Sequence, residues 1–448
     1  MDQAPRASCD LMIVDGYVVT VDDDDTVHRN GAVAVAGNRI VAVGPTDDLV
    51  ARHAAARTLD AAGGIVMPGL VNTHNHTPLM VTRGMVEDLG FAPAFTPNVP
   101  QAHAMSDEQA FALARLGLYE MLRFGSTTIV DFYNHADACA RAAAVSGARS
   151  FVGGRIVDAD MAAVARGEWR FDRATGKRTL DENLDLFERW HGRENGRIQA
   201  VLGPHAADTC SRGLLAEVAA VAHKTGASVH THLAQSQGEV DRIKARSDCR
   251  PSEVFDEVGL LNPRLVAAHC IHLDEREIVR MGAAGIRVAH SPTGNAVSGR
   301  IAPIRALEAA GATITLCTDT KSGDMFEAMR MAVAVARIRG ATYEMDGKTA
   351  MTWATRNGAA ALGLGDELGM LCPGALADVV VLGSAPNLCP LIKGVGQVVY
   401  SAVGMNVDTV IVDGRIVVEH GETTLVDATE IIRTAQQISA DLWTRHGH

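Results

Sequence analysis

The sequence predicts an α/β chain: a closed (β/α)8 barrel of the TIM type, joined to a small β-sandwich domain built from both termini. Through the middle of the chain, apolar strand-like runs alternate with helix-competent stretches. At both ends the pattern changes to short β-branched runs punctuated by Asp-Gly and Gly-Asn. Histidines and an aspartate stand where several of the central runs stop.

Residues 1–68 carry such β-branched runs at 11–14, 32–35 and 39–44, and residues 370–448 repeat the pattern at 377–383 and 409–412. Asp15-Gly16 and Asp413-Gly414 read as hairpin turns, because a tight turn needs positive φ and glycine adopts it without steric cost. Asp22-Asp-Asp-Asp25 reads as a solvated turn. Residues 69–369 carry the barrel. Its strand candidates are 65–71, 126–131, 150–157, 198–203, 228–233, 264–269, 285–290 and 313–318, followed by helical segments such as 107–123 and 211–225. Eight βα units fit a closed barrel, with a doubly wound open sheet as the alternative. No GxGxxG follows the first strand and no GxxxxGK[ST] occurs, so nothing points to a nucleotide phosphate. The last helix, 427–445, is amphipathic and is expected on the exterior.

Composition removes other classes. With 41 Lys plus Arg against 53 Asp plus Glu, the net charge of −12 argues against nucleic acid and against a polybasic membrane-surface protein. Aromatic residues, at 4%, are too few to suggest a stacking platform for single strands. No run reaches the ~18 apolar residues of a membrane span, and residues 1–10 lack a signal-peptide pattern. Eight scattered cysteines, none in a CxxC pair, read as reduced thiols of a cytoplasmic protein.

The sharpest local feature is Met67-Pro-Gly-Leu-Val-Asn-Thr-His74-Asn-His76. Residues two apart on a strand share a face, so two imidazoles project together at a strand end. His205, His232, His269 and Asp319 also stand where apolar runs end, and in a barrel those ends converge on one face. Histidines with a carboxylate suit a catalytic divalent metal with an open position for water. His230 reads as a core residue behind His232, and His272 and His290 as local turn or strand-end histidines. The segment 77–106 is too long for a plain connector and suits an active-site lid or a subunit-packing arm. Within it, Arg83 is a candidate substrate contact, and Met85, Phe91 and Phe95 a candidate apolar wall. Tyr133 and Asn134, after the second strand, should face the same pocket.

With these motifs the chain resembles the amidohydrolase superfamily, most of all its branch of S-adenosylhomocysteine/5′-methylthioadenosine deaminase, guanine deaminase and triazine hydrolases. The likeness runs in order through Pro68-Gly-Leu-Val-Asn-Thr-His-Asn-His76, Gly203-Pro-His205, His232-Leu-Ala, Ala268-His269-Cys, His290-Ser-Pro-Thr-Gly-Asn295, Thr318-Asp319 and Gly374-Ala-Leu-Ala-Asp378. It implies that His74, His76, His232 and Asp319 bind one divalent metal ion, zinc first, with iron, manganese or cobalt as alternatives. Asp319 would take the proton of a metal-activated water, His269 would polarise that water, and His205 would touch the substrate. It further implies a homo-oligomer, dimer or larger, acting on a small molecule. Binuclear relatives resemble one another in a bridging group, often a carboxylated lysine near the fourth strand. The only lysine between Gly125 and Ala200 is Lys177, in the loop-like stretch 173–178.

The chain departs from the deaminases at Gln235. There the pattern is His-Leu-x-Glu; here it is His232-Leu-Ala-Gln235. The glutamate protonates a ring nitrogen, and a neutral amide has no such proton to give. The departure points to a metal-dependent hydrolase of carbon–nitrogen bonds other than peptide bonds, acting on an amide, urea, carbamate, thiocarbamate or substituted heterocycle. A hydrolytic deaminase of a purine, pterin or triazine is the alternative. A non-enzymatic scaffold of the same fold predicts missing ligands, and all four are present. After Asp319 the text also departs, so that Thr320 and Lys321 border the pocket.

Overall fold

The computed structural model describes residues 6–89, 98–101, 104–164, 166–320, 322–341 and 343–447. From the N-terminus run β1 (Ala7–Val19), β2 (Val27–Ala36), β3 (Arg39–Pro45), β4 (His53–Asp60) and β5 (Ile65–Pro68). Then come β6 (Leu70–Asn75), β7 (Ser126–Tyr133), β8 (Arg149–Ile156), β9 (Ile198–Pro204), β10 (Val229–Leu233), β11 (Leu265–His269), β12 (Arg287–His290) and β13 (Thr313–Leu316). Last are β14 (Val379–Leu382), β15 (Val407–Val412), β16 (Arg415–Glu419) and β17 (Glu422–Thr423).

Strands β6 to β13 pair in sequence order, all parallel, as the repeated βα pattern predicts. The ring then closes on itself. Asn75 bridges Asp319, the Asp319 N–H donates to the His74 carbonyl at 3.1 Å, and Thr73 Oγ1 donates to the Leu316 carbonyl at 2.9 Å. The result is a nearly closed barrel rather than a doubly wound open sheet. Strand alternation sorts the side chains. Leu70, Ile129, Val152, Leu202, Val229, Leu265, Val288 and Leu316 join the main core with the helical layer. Their neighbours Val71, Val130, Phe151 and Val201 form a separate cluster with Ala359 of the helix Arg356–Ala361 and with Leu362 just past its end. Val266, Ala268, Ala289 and Cys317 form another.

The helices start where polar side chains satisfy their first N–H groups. Asp107–Arg123 begins with a reciprocal capping box between Ser106 and Gln109. Ser211 caps Arg212–Thr225, and Gly226, at φ +73°, ends it in the left-handed conformation. The stretch 173–178 is not a loop. It opens the helix Arg173–Trp190, because the Asp172 carboxylate accepts the N–H of Ala174 and Thr175 at 3.1 and 3.0 Å and overrides the low propensity of Gly176. Lys177 lies exposed on that helix and pairs with Asp181 one turn on.

The remaining nine strands form one mixed sheet contributed by both termini. Along β1, Leu11 and Ile13 join one cluster with Val33, Val35, Val379 and Val381, while Cys9, Met12 and Val14 join another with Ala32, Ala34 and Leu49. On β14, Val380 and Leu382 turn instead to the main core shared with the barrel. Asp413 and Gly414, both at positive φ, make the tight turn between β15 and β16. Asp15-Gly16 does not turn the chain. Asp15 at φ +53° sits in a bulge of the continuous strand β1, where a Cβ on Gly16 would lie 2.5 Å from Val66 Cγ2. The Asp22–Asp25 turn is tied to the chain below it, with Asp23 paired to Arg356 at 2.6 Å and Asp25 to Lys348. No helix among the described residues is long and apolar enough to cross a membrane.

A buried ion cluster joins the two sheets. Arg149, at the start of β8, donates to both carboxylate oxygens of Asp378 at 3.2 and 3.0 Å and to Asp413 at 3.0 Å. Removing one partner of a buried pair leaves the other uncompensated. Asp378→Ala is therefore expected to lower unfolding free energy by about 3–5 kcal/mol in denaturant titrations. A loss below about 1 kcal/mol would show that Asp413 alone suffices for Arg149.

Candidate metal centre and substrate pocket

Between Asn72 and Asn75 strand β6 carries one residue more than β7, which pairs the same stretch from Ile129 to Asp131. Such a bulge re-aims side chains. His74 and His76 thus come together through an irregular strand end, not through simple alternation. Their ring centroids lie 4.7 Å apart, and the His232 ring lies 4.9 Å from His74 and 5.3 Å from His76. Nitrogens of His74, His76 and His232 all lie within 4.8 Å of one another, as do ligand atoms of His74, His269 and Asp319. Asp319 Oδ1 is 3.7 Å from His76 Nε2 and 4.0 Å from His74 Nε2, while Oδ2 is 4.0 Å from His269 Nε2.

The surroundings fix which nitrogen faces inward. His76 Nδ1–H donates to the Phe132 carbonyl, and His232 Nδ1–H to the His205 carbonyl at 2.8 Å. Both rings then present Nε2 to the centre, and these two Nε2 atoms stand 3.2 Å apart. His74 Nε2 is buried without a hydrogen-bond partner. Burial pushes the pKa of His76 down to about 4 and those of His74 and His232 well below the usual histidine value. Buried neutral nitrogens that face one another fit a cation. Three imidazoles and a carboxylate are a donor set for a divalent transition metal. His269 and Asp319 hold left-handed backbone, at φ +73° and +60°, a conformation that costs about 1–3 kcal/mol in residues other than glycine and clusters at functional sites.

The structure draws some of the expected substrate residues to this centre and sends others elsewhere. Tyr133 packs on His76, with ring centroids 5.7 Å apart. Thr320 is buried beside Asp319. The His205 ring lies 4.7 Å from His232, but both its nitrogens are engaged: Arg155 Nη2 donates to Nε2 at 2.8 Å, and Nδ1 pairs with Thr209 Oγ1 at 2.7 Å. Gln235 is half-buried in the turn after β10. Its backbone N–H and that of Ala234 donate to the two carboxyl oxygens of Glu239, at 2.8 and 3.0 Å. Arg83 pairs with Glu120 at 2.5 Å, and the other Glu120 oxygen accepts the Gly323 N–H at 2.8 Å. Asn134 is half-buried with its carbonyl oxygen unpartnered, and Met85 is exposed. Phe91, Phe95 and Lys321 lie outside the described residues. His230 is buried with neither ring nitrogen partnered, and His290 is the buried last residue of β12, a strand-end histidine as expected.

Further residues support the centre and escaped the sequence reading. Arg155 lies inside the apolar run 150–157, one residue before the end of β8, so the rule that found the histidines passes over it. Asn295 Oδ1 accepts from His269 Nδ1 at 3.1 Å. Asp131 accepts the Thr77 N–H at 3.2 Å and the Thr77 hydroxyl, and burial pushes its carboxyl up to about 6. Glu239, seven residues beyond His232 in a polar helical turn, carries no sequence signal of its role.

Residues 65–417 match the amidohydrolase family, and residues 31–56 match the imidazolonepropionase-like composite domain of bacteria. The chain is 32% identical over 443 residues to a 5-methylthioadenosine/S-adenosylhomocysteine deaminase of Pelotomaculum thermopropionicum, across 97% of this chain and 99% of that protein. A 5′-deoxyadenosine deaminase of Methanothermobacter thermautotrophicus is 33% identical over 427 residues, across 92% and 95% of the two chains. The crystal structure of an adenosine deaminase from Xanthomonas campestris with bound zinc superposes with a TM-score of 0.89 at 30% identity, covering 98% of this chain and all of that one. A family match over the whole barrel and likenesses that run almost end to end lead to one conclusion: the chain belongs to the amidohydrolase family.

Proposed function

We propose that the His74–His76–His232–Asp319 cluster holds one divalent ion, zinc first, in a hydrolase of carbon–nitrogen bonds other than peptide bonds. The donor set and the zinc in the Xanthomonas campestris relative support the ion. The exposed place of Lys177 on an outer helix supports a single site, since it offers no bridge to a second ion. When bound, such an ion supplies Lewis acidity and makes a water acidic near neutral pH.

The protein's own groups then divide the proton work. Asp319 faces His74 and His76 with one oxygen and His269 with the other, so it is placed to take a proton from the attacking water and return it to the leaving group. His269, held at Nδ1 by Asn295, turns Nε2 toward Asp319. Its Nε2 accepts a hydrogen bond from the attacking water and so orients and polarises it, while the proton itself passes to Asp319.

Gln235 carries the choice of substrate. Its amide donates and accepts hydrogen bonds but gives no proton to a ring nitrogen. The favoured substrate therefore brings its own polarisable oxygen or a good leaving group: an amide, urea, carbamate or substituted heterocycle. A second reading, deamination of a 5′-modified adenosine, is favoured by the likeness to proteins named for that reaction. In either case the partner is a small molecule, and a cytoplasmic homo-oligomer is the setting that the resemblance suggests.

Elemental analysis of chelator-free protein is expected to give about one divalent metal per chain, with activity lost on chelation and restored by zinc. Two metals per chain would contradict the single site. Asp319→Asn should lower kcat by roughly 10²–10⁴-fold, and an unchanged rate would place the base elsewhere. A panel of amides, ureas, carbamates, triazines and 5′-modified adenosines decides the substrate class. Turnover in the first four groups is expected, with adenosine deamination appearing in Gln235→Glu. Ammonia release from an adenosine by the native enzyme would establish the second reading.

A further inference from the structure

The C-terminal helix Ala428–Arg445 takes no part in the chemistry above, yet it reaches the segment that begins at a metal-site histidine. Asp427 caps it by accepting the Glu430 N–H at 3.0 Å, and Glu430 in turn pairs with Arg115 of the helix Asp107–Arg123 at 2.9 Å. Its buried face, Ala435, Leu442 and Trp443, shares one cluster with Val81, Val86, Val99, Met105 and Leu113. Within that cluster the Trp443 indole N–H donates to the Val81 carbonyl at 2.7 Å, joining positions 362 residues apart.

The segment 77–86 is thus held at two ends by different parts of the fold. At its start, Thr77 directly follows His76 and is anchored through both its N–H and its hydroxyl to Asp131, and Leu79 packs on Tyr133. At its far end, Val81 and Val86 enter the cluster of the C-terminal helix. Between these anchors the backbone turns on short local bonds, Leu79 N–H to His76, Arg83 N–H to Met80 and Met85 N–H to Thr82. Such short turns open readily unless tertiary contacts restrain them.

We propose that Trp443 is a positioning residue for this segment, so that the C-terminal helix sets how closely the wall of the barrel mouth fits a small-molecule substrate without touching the reacting atoms. The functional half rests on the reading of 77–86 as part of the substrate pocket; the structural half does not. Trp443→Phe keeps an aromatic ring and removes the N–H donor. In the metal-loaded full chain, amide hydrogen exchange over 79–86 is expected to accelerate at least tenfold, with the barrel strands within about twofold of native. With whichever panel compound is turned over, KM should rise about fivefold while kcat stays within about twofold. Ile432→Ser, on the exposed face of the same helix at 52% exposure, should change neither quantity. Leu442→Ala, which empties the same cluster from beside the indole, should reproduce the local exchange change.

Unchanged exchange over 79–86 in both Trp443→Phe and Leu442→Ala would overturn the proposal. Faster exchange with an unmoved KM would overturn the pocket half alone. If no panel compound is turned over, the proposed substrate class fails, and the exchange measurement still decides whether Trp443 holds the segment.

Discussion

Neutral imidazole nitrogens that face one another across 3.2 Å in a buried site repel, and something other than the imidazoles must hold them there. The backbone does so. The Phe132 and His205 carbonyls take the Nδ1 protons of His76 and His232 and leave Nε2 with its lone pair inward. The His205 carbonyl, one residue past β9, also accepts the His232 N–H at 3.0 Å, so one acceptor holds both the backbone and the ring of His232. Closure of the barrel between β6 and β13 supplies the remaining member, since the bond from the Asp319 N–H to the His74 carbonyl fixes the carboxylate beside the histidine it must accompany. A one-residue slip in any of these pairings would turn a ligand to the other face of its strand.

Register at the mouth depends in turn on the opposite end of the strands. Arg149 opens β8, and its pairs with Asp378 and Asp413 bind the barrel to a sheet made from both termini. Val380 and Leu382 add an apolar seam to the same junction. The two halves of that sheet join where β14 pairs with β5, residues separated by the whole barrel, so this pairing is a long-range step. The buried ion cluster is costly to desolvate, and its specific geometry selects this docking over a looser apolar one.

Much of this was legible from residue patterns. The eight parallel strands followed from repeated apolar runs, and the histidines and Asp319 were found because an ionisable residue at the end of such a run has no apolar role to play. Local exceptions were harder to read. Polar residues and Gly176 made 173–178 resemble a loop, although one capping aspartate suffices to start a helix there. Asp15-Gly16 and Asp413-Gly414 are the same dipeptide, yet one bends a strand and the other reverses the chain, because the turn depends on what the flanking strands pair with. Hydrogen bonds that link distant positions, Arg155 to His205 and Asn295 to His269, leave no periodic trace.

On the proposed reading, the family architecture persists at position 235 while its proton chemistry changes. The turn after β10 is held by Glu239, which binds the backbone N–H groups of residues 234 and 235 and not the side chain at 235. Glutamine or glutamate at 235 therefore rides on the same scaffold, and the substitution alters acidity without altering geometry. Burial, with the charge of Asp208 adding to it, pushes the Glu239 carboxyl up, while the two backbone N–H groups it binds pull it the other way. Asp131 is occupied by Thr77. Among the described residues, Asp319 is then the carboxyl group placed against the imidazole cluster. On the proposed reading, with no second acid at 235, the proton that Asp319 would take from water would be the one that reaches the leaving group. That constraint favours substrates whose leaving group needs one proton and whose electrophilic carbon needs none.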